Sequence, residues 1–386
     1  MARRLTLAQH FALALAPATA AAQPRVPFGF FGVNAGGGTL LEHGDLESEF
    51  DLMLGTGVQS VRQPFQWEWA QPYASWADVP PDRASQFRDE AGMPTDWTLI
   101  DRQVAAAARR RMAVLAVVHG VPEWAARYPG QSSSPPRDAR QFAAWMATLA
   151  RRYGPDGTFW AEHPELPRVP VRDWQVWNEP SLVIFWSDRP WAPGYVELLR
   201  ASRDAVRAVD PGGRIVLAGF PNDSWNALNE IYKAGGRGLF DAMAVHPFTA
   251  WPQGVVQIVR KVRKVMAAHG DRKIPLMVTE TAWTSSKGRI PSKDPWQVTE
   301  RGQARRVTQL LRMLAGVRRR LGVERVYWYT WMTTDSEPDY SFDYAGLRRL
   351  RGAGPAESKP ALAAYRRTAL GLSGCPRKTV RADRCG

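Results

Sequence analysis

Eight short apolar segments, each followed by a polar loop and a helical segment, constrain what this chain can fold into. They lie at residues 28–34, 58–63, 112–120, 173–180, 214–220, 241–248, 274–283 and 325–332. Between them, apolar residues recur with the 3.6-residue spacing of an amphipathic helix, as over residues 97–112 and 139–154. Short buried strands that alternate with helices pair in parallel. Eight such units are typical of a closed (β/α)8 barrel, which leaves no strand at an edge.

An open, doubly wound sheet is the alternative fold for this pattern. It often carries a glycine-rich phosphate-binding turn after its first strand. The glycine-rich residues 34–44 lack the spacing and the acidic partner of a dinucleotide-binding turn. We therefore predict a single-domain α/β protein, a (β/α)8 TIM barrel over residues 28–372, that needs no cofactor.

Both ends of the chain differ from the repeating pattern. Residues 1–22 combine a short basic start, a modest apolar run and a small-residue end, which is the outline of a secretory signal peptide. The sequence thus predicts a secreted or periplasmic protein. Residues 373–386 form a basic tail, in which Cys375 and Cys385 are expected to form a disulfide in an exported chain.

The chain carries a formal net charge of +14, from 51 Lys and Arg against 37 Asp and Glu. Such a balance is compatible with a nucleic acid, an anionic membrane or an acidic polysaccharide as partner. However, the basic residues are spread along the helical segments, without an RRM, zinc-finger or helix-turn-helix pattern. We interpret them as a solvated exterior and expect a monomer that binds no nucleic acid. No apolar stretch of the sequence is long enough to span a membrane.

Polar and aromatic residues end the apolar segments, at the barrel face where such folds place their chemistry. These residues are Asn34, Arg62, His119, Asn178, Glu179, His246, Glu280 and Trp331. Glu179 ends the fourth segment and Glu280 the seventh, on opposite sides of the predicted barrel. Glycoside hydrolysis needs two carboxyl groups that flank one bond. The alternative is a pair of unrelated surface glutamates.

Three motifs around these residues resemble those of the retaining glycoside hydrolases of clan A. They are VWNEP at 176–180, TETAW at 279–283 and WYTW at 328–331. Within the clan, the sequence is most similar to the single-barrel bacterial endoglycosidases of family 39, and next to family 5. The resemblance implies a (β/α)8 enzyme in which Glu179 is the acid/base and Glu280 the nucleophile.

The resemblance also implies roles for further residues. Asn178 would hydrogen-bond the sugar 2-hydroxyl, Arg62 would keep the nucleophile ionised, and Trp331 would form the floor of the sugar subsite. An adjacent guanidinium does lower the pKa of a carboxylate. His119 and His246 match histidines at the ends of strands three and six, and the alternative is that both are buried core residues.

Phe248 departs from the clan, which often has an aromatic hydroxyl after the sixth strand. A phenylalanine cannot donate a hydrogen bond to the nucleophile, so either another group does so or the contact is absent. Tyr327 and Tyr329, in the eighth segment, are the substitutes that the sequence offers.

Tryptophans and acids are frequent in the loops that follow the predicted strands. Sugar rings stack on aromatic side chains, and the loop tryptophans are Trp67, Trp69, Trp124, Trp186, Trp251 and Trp283. Among these, Trp67, Trp124 and Trp283 are predicted to contact the sugar; the alternative is that they anchor the loops. The acids are Asp335, Glu337, Asp339 and Asp343. We interpret them as solvated acids rather than a calcium site, and we expect no metal.

Together these observations predict a secreted, retaining β-glycoside hydrolase that acts on a β-linked polysaccharide or oligosaccharide. Bacterial exopolysaccharides and plant or fungal glucans or xylans are the expected substrate types. Endo action is expected, because the added β-sandwich of family 39 xylosidases has no room in this sequence. The alternatives are a transglycosylase with the same glutamates, a non-catalytic carbohydrate-binding barrel and, on charge alone, a nucleic-acid binder.

Overall fold

The computed structural model describes residues 26–43, 45–352, 354–375 and 381–384. The predicted signal peptide, residues 1–22, lies outside the described residues, and so does Cys385. The signal peptide and the Cys375–Cys385 disulfide therefore remain predictions.

Eight parallel strands form a closed barrel, in which each strand pairs with its neighbours in the chain and the eighth pairs with the first. The strands are β1 (Phe31–Asn34), β2 (Ser60–Gln66), β3 (Ala113–His119), β4 (Asp173–Val176), β5 (Arg214–Pro221), β6 (Ala242–His246), β7 (Leu276–Val278) and β8 (Val323–Trp328). Closure is direct, since Phe31 of β1 lies in register with Val326 of β8. All eight predicted strands and the TIM-barrel fold are confirmed.

One long helix follows each barrel strand and covers it from outside. These helices are α1 (Leu46–Thr56), α2 (Thr98–Arg109), α3 (Ala139–Tyr153), α4 (Trp191–Val209), α5 (Ser224–Lys233), α6 (Pro252–Ala268), α7 (Glu300–Leu321) and α8 (Pro360–Ser373). The helices α1, α3 and α7 have side-chain caps at their N-termini, from Asp45, Asp138 and Thr299. At the start of α7, the Thr299 hydroxyl accepts a hydrogen bond from the Gly302 amide. At its end, Gly322 adopts the left-handed conformation that is typical of a helix C-cap.

Shorter elements occupy the connections. They are the helices Gly38–His43, Trp67–Ala70 and Thr158–Glu162, the 3-10 turns Trp76–Asp78, Pro81–Gln86, Glu123–Ala125 and Ser341–Tyr344, and the strands Arg88–Glu90, Met93–Thr95, Met332–Thr333, Arg348–Arg349 and Glu357–Ser358. None of the helices in the described part of the chain combines the length and apolar character needed to cross a membrane.

The barrel interior is filled by a small apolar cluster, separate from the main core between strands and helices. Its members are Leu115, Val216, Ala242, Ala244, Met277 and Tyr327. Tyr327 fits because β1 has a glycine opposite: a Cβ on Gly32 would lie 2.5 Å from the tyrosine ring. The Tyr327 side chain is fully buried and its hydroxyl accepts from Arg325 at 3.3 Å. Tyr327 therefore belongs to the core and cannot substitute for the hydroxyl that Phe248 lacks.

Two of the four acids after β8, Asp335 and Asp343, are engaged in contacts rather than solvated, which corrects our interpretation of them, whereas Glu337 and Asp339 are exposed as expected. Asp335 and Lys359 form a fully buried ion pair with 3.2 Å between Oδ2 and Nζ. Asp343 accepts hydrogen bonds from the Ser336 amide at 2.7 Å and the Glu337 amide at 3.0 Å. These contacts fasten the β8 loop, defined here as residues 334–343, to the start of α8.

We predict that Lys359→Met destabilises the fold, because the buried Asp335 carboxylate loses its buried cation and keeps only the partly exposed Arg289, 3.4 Å away. Breaking a buried pair in this way costs about 3–5 kcal/mol. Urea unfolding followed by circular dichroism measures the change, with Lys264→Met on the exposed face of α6 as control. Equal stability of the two variants would contradict a structural role for the pair.

Candidate active site

The two glutamates singled out in the sequence face each other across the barrel mouth. Glu179 lies just past β4 and Glu280 just past β7, and each is about nine-tenths buried. One oxygen of each carboxyl group and one ring nitrogen of His246 all lie within 4.8 Å of one another. Two acids and a histidine from three different strands therefore share one site.

Arg62, a buried residue of β2, holds this site together. Its Nη1 donates to Glu280 Oε1 at 2.6 Å and to Asn34 Oδ1 at 2.6 Å. Its Nη2 donates to Asn178 Oδ1 at 2.8 Å, and its Nε donates to Gln175 Oε1 at 3.1 Å. The structure thus brings Arg62 into direct contact with Glu280, as the resemblance implied, and also with Asn178.

The two oxygens of Glu280 differ in their surroundings. Oε1 accepts from Arg62 and lies 3.7 Å from His246 Nε2. Within the described residues, Oε2 makes no hydrogen bond. A guanidinium favours the ionised form of a carboxylate and fixes its orientation. Glu280 therefore presents a carboxylate with one clamped oxygen and one oxygen free to react.

Glu179 has the opposite environment. Burial raises its pKa to about 7, although the charge of Arg62 acts in the other direction. Its Oε1 lies 2.6 Å from Nδ1 of His246. Burial also lowers the pKa of His246 to about 3; the charge of Glu280 opposes this shift and that of Arg62 adds to it. A neutral histidine thus accompanies a carboxyl group that is half protonated near neutral pH.

The backbone around Glu179 departs from regular strand geometry. Trp177 and Glu179 have φ angles of 69° and 44°, in the left-handed region that is unfavourable for such residues. The Glu179 amide is held by the Gly219 carbonyl at 3.2 Å. Gly219 also makes room for the histidine, since a Cβ there would lie 1.9 Å from His246 Nε2. These contacts keep Glu179 and His246 side by side.

A cavity of about 370 Å³ opens beside Glu280. Asn178, Glu280 and His119 contribute to its wall. The remaining lining residues come mainly from the first three strands, from the loop after β1, and from β8 and its loop; they are Asn34, Gly36, Gly37, Gly38, Thr39, Arg62, Gln63, Pro64, Gln66, Val117, Tyr329, Thr330, Met332, Thr333, Tyr340, Phe342 and Asp343. The cavity wall therefore combines polar side chains with aromatic and apolar ones, and the polar groups can orient a hydroxyl-rich ligand.

His119 is half-buried at this cavity rather than enclosed in the core. Burial lowers its pKa to about 4, and the nearby charge of Arg62 contributes. His119 is thus a neutral imidazole at physiological pH and can donate or accept one hydrogen bond on the cavity side.

Trp331 and Trp283 lie elsewhere than the sequence suggested. Both are fully buried, and neither lines the cavity. The Trp331 indole donates to Glu49 of α1 at 2.7 Å, and the Trp283 indole donates to the Ala250 carbonyl at 3.1 Å. A buried indole N–H needs an acceptor, and these acceptors lie in the helix layer and in the loop before α6. The assignment of Trp331 to the floor of a sugar subsite is thus corrected.

Trp67 and Trp124 anchor loops in the same way. The Trp67 indole donates to the side-chain oxygen of Gln71 at 2.8 Å. The Trp124 indole donates to the backbone carbonyl of Gln71 at 2.9 Å. The two rings meet edge to face with 5.3 Å between centroids. Neither side chain lines the cavity, so Trp67 and Trp124 fit the alternative that the loop tryptophans anchor their loops.

The aromatic side chains that do line the cavity come from the end of β8 and its loop. They are Tyr329, Tyr340 and Phe342, which we call the aromatic wall. Tyr329 was named in the sequence as a substitute for Phe248; Tyr340 and Phe342 were missed, because their loop follows no periodic pattern. Phe248 packs against the wall, with 4.8 Å between its ring centroid and that of Phe342.

Glu179, His246 and Glu280 are close enough to share a metal ion. The guanidinium of Arg62 bonds the same Glu280 oxygen that would face such an ion. A second cation there would be repelled at short range. The arrangement suits proton transfer and nucleophilic attack better than metal binding.

Solved structures with the same fold include several glycoside hydrolases. A family 39 glycoside hydrolase from Bacteroides cellulosilyticus is 18% identical, with a TM-score of 0.63 over 90% of this chain and 64% of that chain. A monomeric β-xylosidase from Caulobacter crescentus is 20% identical, with a TM-score of 0.60 over 90% of this chain and 69% of that chain. The GH53 catalytic domain of Ignisphaera aggregans is 19% identical, with a TM-score of 0.58 over 88% of this chain and 95% of that domain.

These similarities confirm the resemblance to family 39 and clan A at the level of the fold. This chain spans just under two thirds of the Bacteroides enzyme. No protein-family model matches the sequence, and no curated protein matches it significantly.

We predict that Glu179→Gln makes stability less sensitive to pH. Between pH 4.5 and about 7, the wild-type unfolded state loses the Glu179 proton while the folded state keeps it, so wild-type stability falls as pH rises. The variant lacks this loss, so its free energy of unfolding should rise by roughly 1–3 kcal/mol relative to that of the wild type by pH 8. Urea titrations at pH 5 and pH 8 measure it, with the exposed Glu197→Gln as control. A constant difference between wild type and variant at both pH values would refute the buried-acid assignment.

Proposed function

We propose that the protein is a retaining β-glycoside hydrolase. The observation that carries the proposal is that one oxygen of each glutamate lies within 4.8 Å of the other, while Arg62 bonds Glu280 and Glu179 is buried beside His246. Retaining enzymes place their carboxyl groups about 5–5.5 Å apart, and inverting enzymes about 6.5–9.5 Å apart to leave room for water. The short separation of Glu179 and Glu280 favours retention.

The reaction would proceed in two displacements. Glu280 Oε2 attacks the anomeric carbon, the bond to the leaving oxygen breaks, and Glu179 donates its proton to that oxygen. Glu179, now ionised, then takes a proton from water, whose oxygen attacks the anomeric carbon and releases Glu280. A pKa near 7 lets one group act as acid and then as base near neutral pH.

Asn178 suits the role of a contact to the sugar 2-hydroxyl. Its Oδ1 is already occupied by Arg62. This contact orients the amide so that Nδ2 remains as a donor towards the cavity that Asn178 lines. A hydrogen bond from this nitrogen to the sugar would strengthen as positive charge develops at the anomeric carbon.

The substrate class is proposed to be a β-linked polysaccharide or oligosaccharide, cleaved by endo action outside the cytoplasm. Support for a long substrate comes from the connection between β2 and α2, where Trp69 and Trp76 expose 45% and 38% of their surface. Exposed aromatic rings can stack on sugars beyond the cavity. The signal-like residues 1–22 support export. The size of the first products tests endo action, and the N-terminal residue of the exported protein tests cleavage of the leader.

Transglycosylation is a second candidate, because the turn after Glu179 exposes apolar surface. Val183 and Ile184 are 58% and 66% exposed. The turn is tied to the acid, since the Leu182 amide donates to the Glu179 carbonyl at 2.9 Å. An apolar acceptor held here would compete with water for the glycosyl intermediate. Product analysis with added alkyl alcohols and acceptor sugars distinguishes the two reactions.

We predict that a 2-deoxy-2-fluoro-β-glycoside with a good leaving group labels Glu280 covalently. The fluorine slows hydrolysis of the intermediate more than its formation, so the ester accumulates. Peptide mass spectrometry locates the sugar, and Glu280→Gln is the control that should remain unlabelled. Proton NMR of the first product should show the β-anomer. Label on another residue, or an α-anomer first, would overturn the retaining assignment.

We predict that Glu179→Ala loses more than about 100-fold in kcat/KM on poor leaving groups and much less on nitrophenyl glycosides, since kcat/KM reports the first displacement, in which only poor leaving groups need the proton. In the wild type, kcat/KM should fall as pH rises through about 7, where Glu179 deprotonates. This alkaline limb should disappear in the variant. Persistence of the limb would assign it to another group.

A further inference from the structure

The aromatic wall contains one residue placed unlike the others. Tyr340 exposes 55% of its surface, yet it lines the cavity together with Glu280. Large exposed aromatic side chains beside a polar cavity are binding candidates, since they expose a ring face and a hydroxyl at once. The other two residues of the aromatic wall, Tyr329 and Phe342, line the same cavity.

The Tyr340 and Tyr329 phenols lie close enough to influence each other electrostatically. Burial raises the pKa of the Tyr340 phenol even though much of its ring is exposed, and the charges of Glu280 and Glu179 contribute to the increase. The hydroxyl thus lies within electrostatic reach of both carboxyl groups. Burial and the charge of Glu280 also raise the pKa of Tyr329. Both phenols therefore keep their protons and can donate hydrogen bonds.

The position of Tyr340 is built into the β8 loop. Phe342 lies 5.8 Å, centroid to centroid, from the rings of both Tyr340 and Tyr329. The Asp343 amide donates to the Tyr340 carbonyl at 3.2 Å, while the Asp343 carboxylate holds the start of the loop. A side chain held this way binds a ligand at a small entropic penalty.

We propose that Tyr340 is a sugar-binding residue that holds the pyranose ring whose anomeric carbon faces Glu280. The inference rests on the proposed glycosidase function. On this proposal, the phenol at the site comes from β8 and its loop rather than from β6. Phe248, which follows β6, has no hydroxyl and contacts Tyr329 and Phe342 only through its ring.

The test compares Tyr340→Phe, Tyr340→Ala and the control Tyr73→Phe. The Tyr73 hydroxyl accepts from Arg83 outside the cavity. On 4-nitrophenyl β-D-xylopyranoside and β-D-glucopyranoside, we expect kcat/KM to fall about tenfold in Tyr340→Phe and further in Tyr340→Ala, which also lacks the ring. The control and the melting temperatures should be unchanged. A Tyr340→Phe variant within twofold of wild type would overturn the proposal.

A double variant tests whether the two phenols act as a unit. If Tyr329 acts through Tyr340, Tyr329→Phe with Tyr340→Phe should lose little more than Tyr340→Phe alone. Independent, multiplicative losses would refute a coupling between the two phenols.

Binding separates this inference from the proposed function. Calorimetry with xylobiose and cellobiose should show about tenfold weaker binding by Tyr340→Phe than by wild type. Covalent labelling of wild-type Glu280 together with unchanged binding by Tyr340→Phe would overturn the inference and leave the glycosidase proposal standing. Binding that weakens in Tyr340→Phe without any labelling of Glu280 would support the inference and count against catalysis. Absence of disaccharide binding by the wild type would overturn it as well.

Discussion

The buried guanidinium of Arg62 is the interaction on which the rest of the site depends. A charge removed from water must be compensated by partners with good geometry. Arg62 meets this requirement with four acceptors from β1, β4 and the residues that follow β4 and β7. Because its planar fork fixes the directions of those bonds, the same contacts that neutralise it also orient Glu280 and Asn178. A lysine could supply the charge but not this geometry.

From that arrangement follows the difference between the two glutamates. They lie within 4.8 Å and are about equally buried, so burial alone would treat them alike. The guanidinium bonds Glu280, whereas Glu179 faces His246, which burial keeps neutral. One carboxyl group is held by a guanidinium, and the other is buried beside a neutral histidine. Two adjacent acids in such different surroundings are what double displacement at an acetal carbon requires.

The sequence was sufficient to predict the barrel and the paired acids, but not the ligand-facing aromatic residues. The alternation of buried strands and helices reports burial directly, and β-strand ends in a closed barrel converge on one face. Arg62, Asn178, Glu179 and Glu280 could be placed on that basis. A tryptophan in a loop carries no such information, because its direction depends on where an acceptor for its indole N–H lies. Trp331 found that acceptor in Glu49, in the helix layer.

The β8 loop connects the stability of the fold to the composition of the cavity. Its base is held by the Asp335–Lys359 pair, which joins the loop to the start of α8. Its tip carries Tyr340, and Asp343 links base and tip through backbone amides. Phe248, which follows β6, contributes only an apolar contact. The phenols that line the cavity with the nucleophile come instead from the end of β8 and its loop. A loop that supplies a binding group in place of a strand must be as well fixed as a strand. The buried ion pair and the Asp343 carboxylate provide that rigidity.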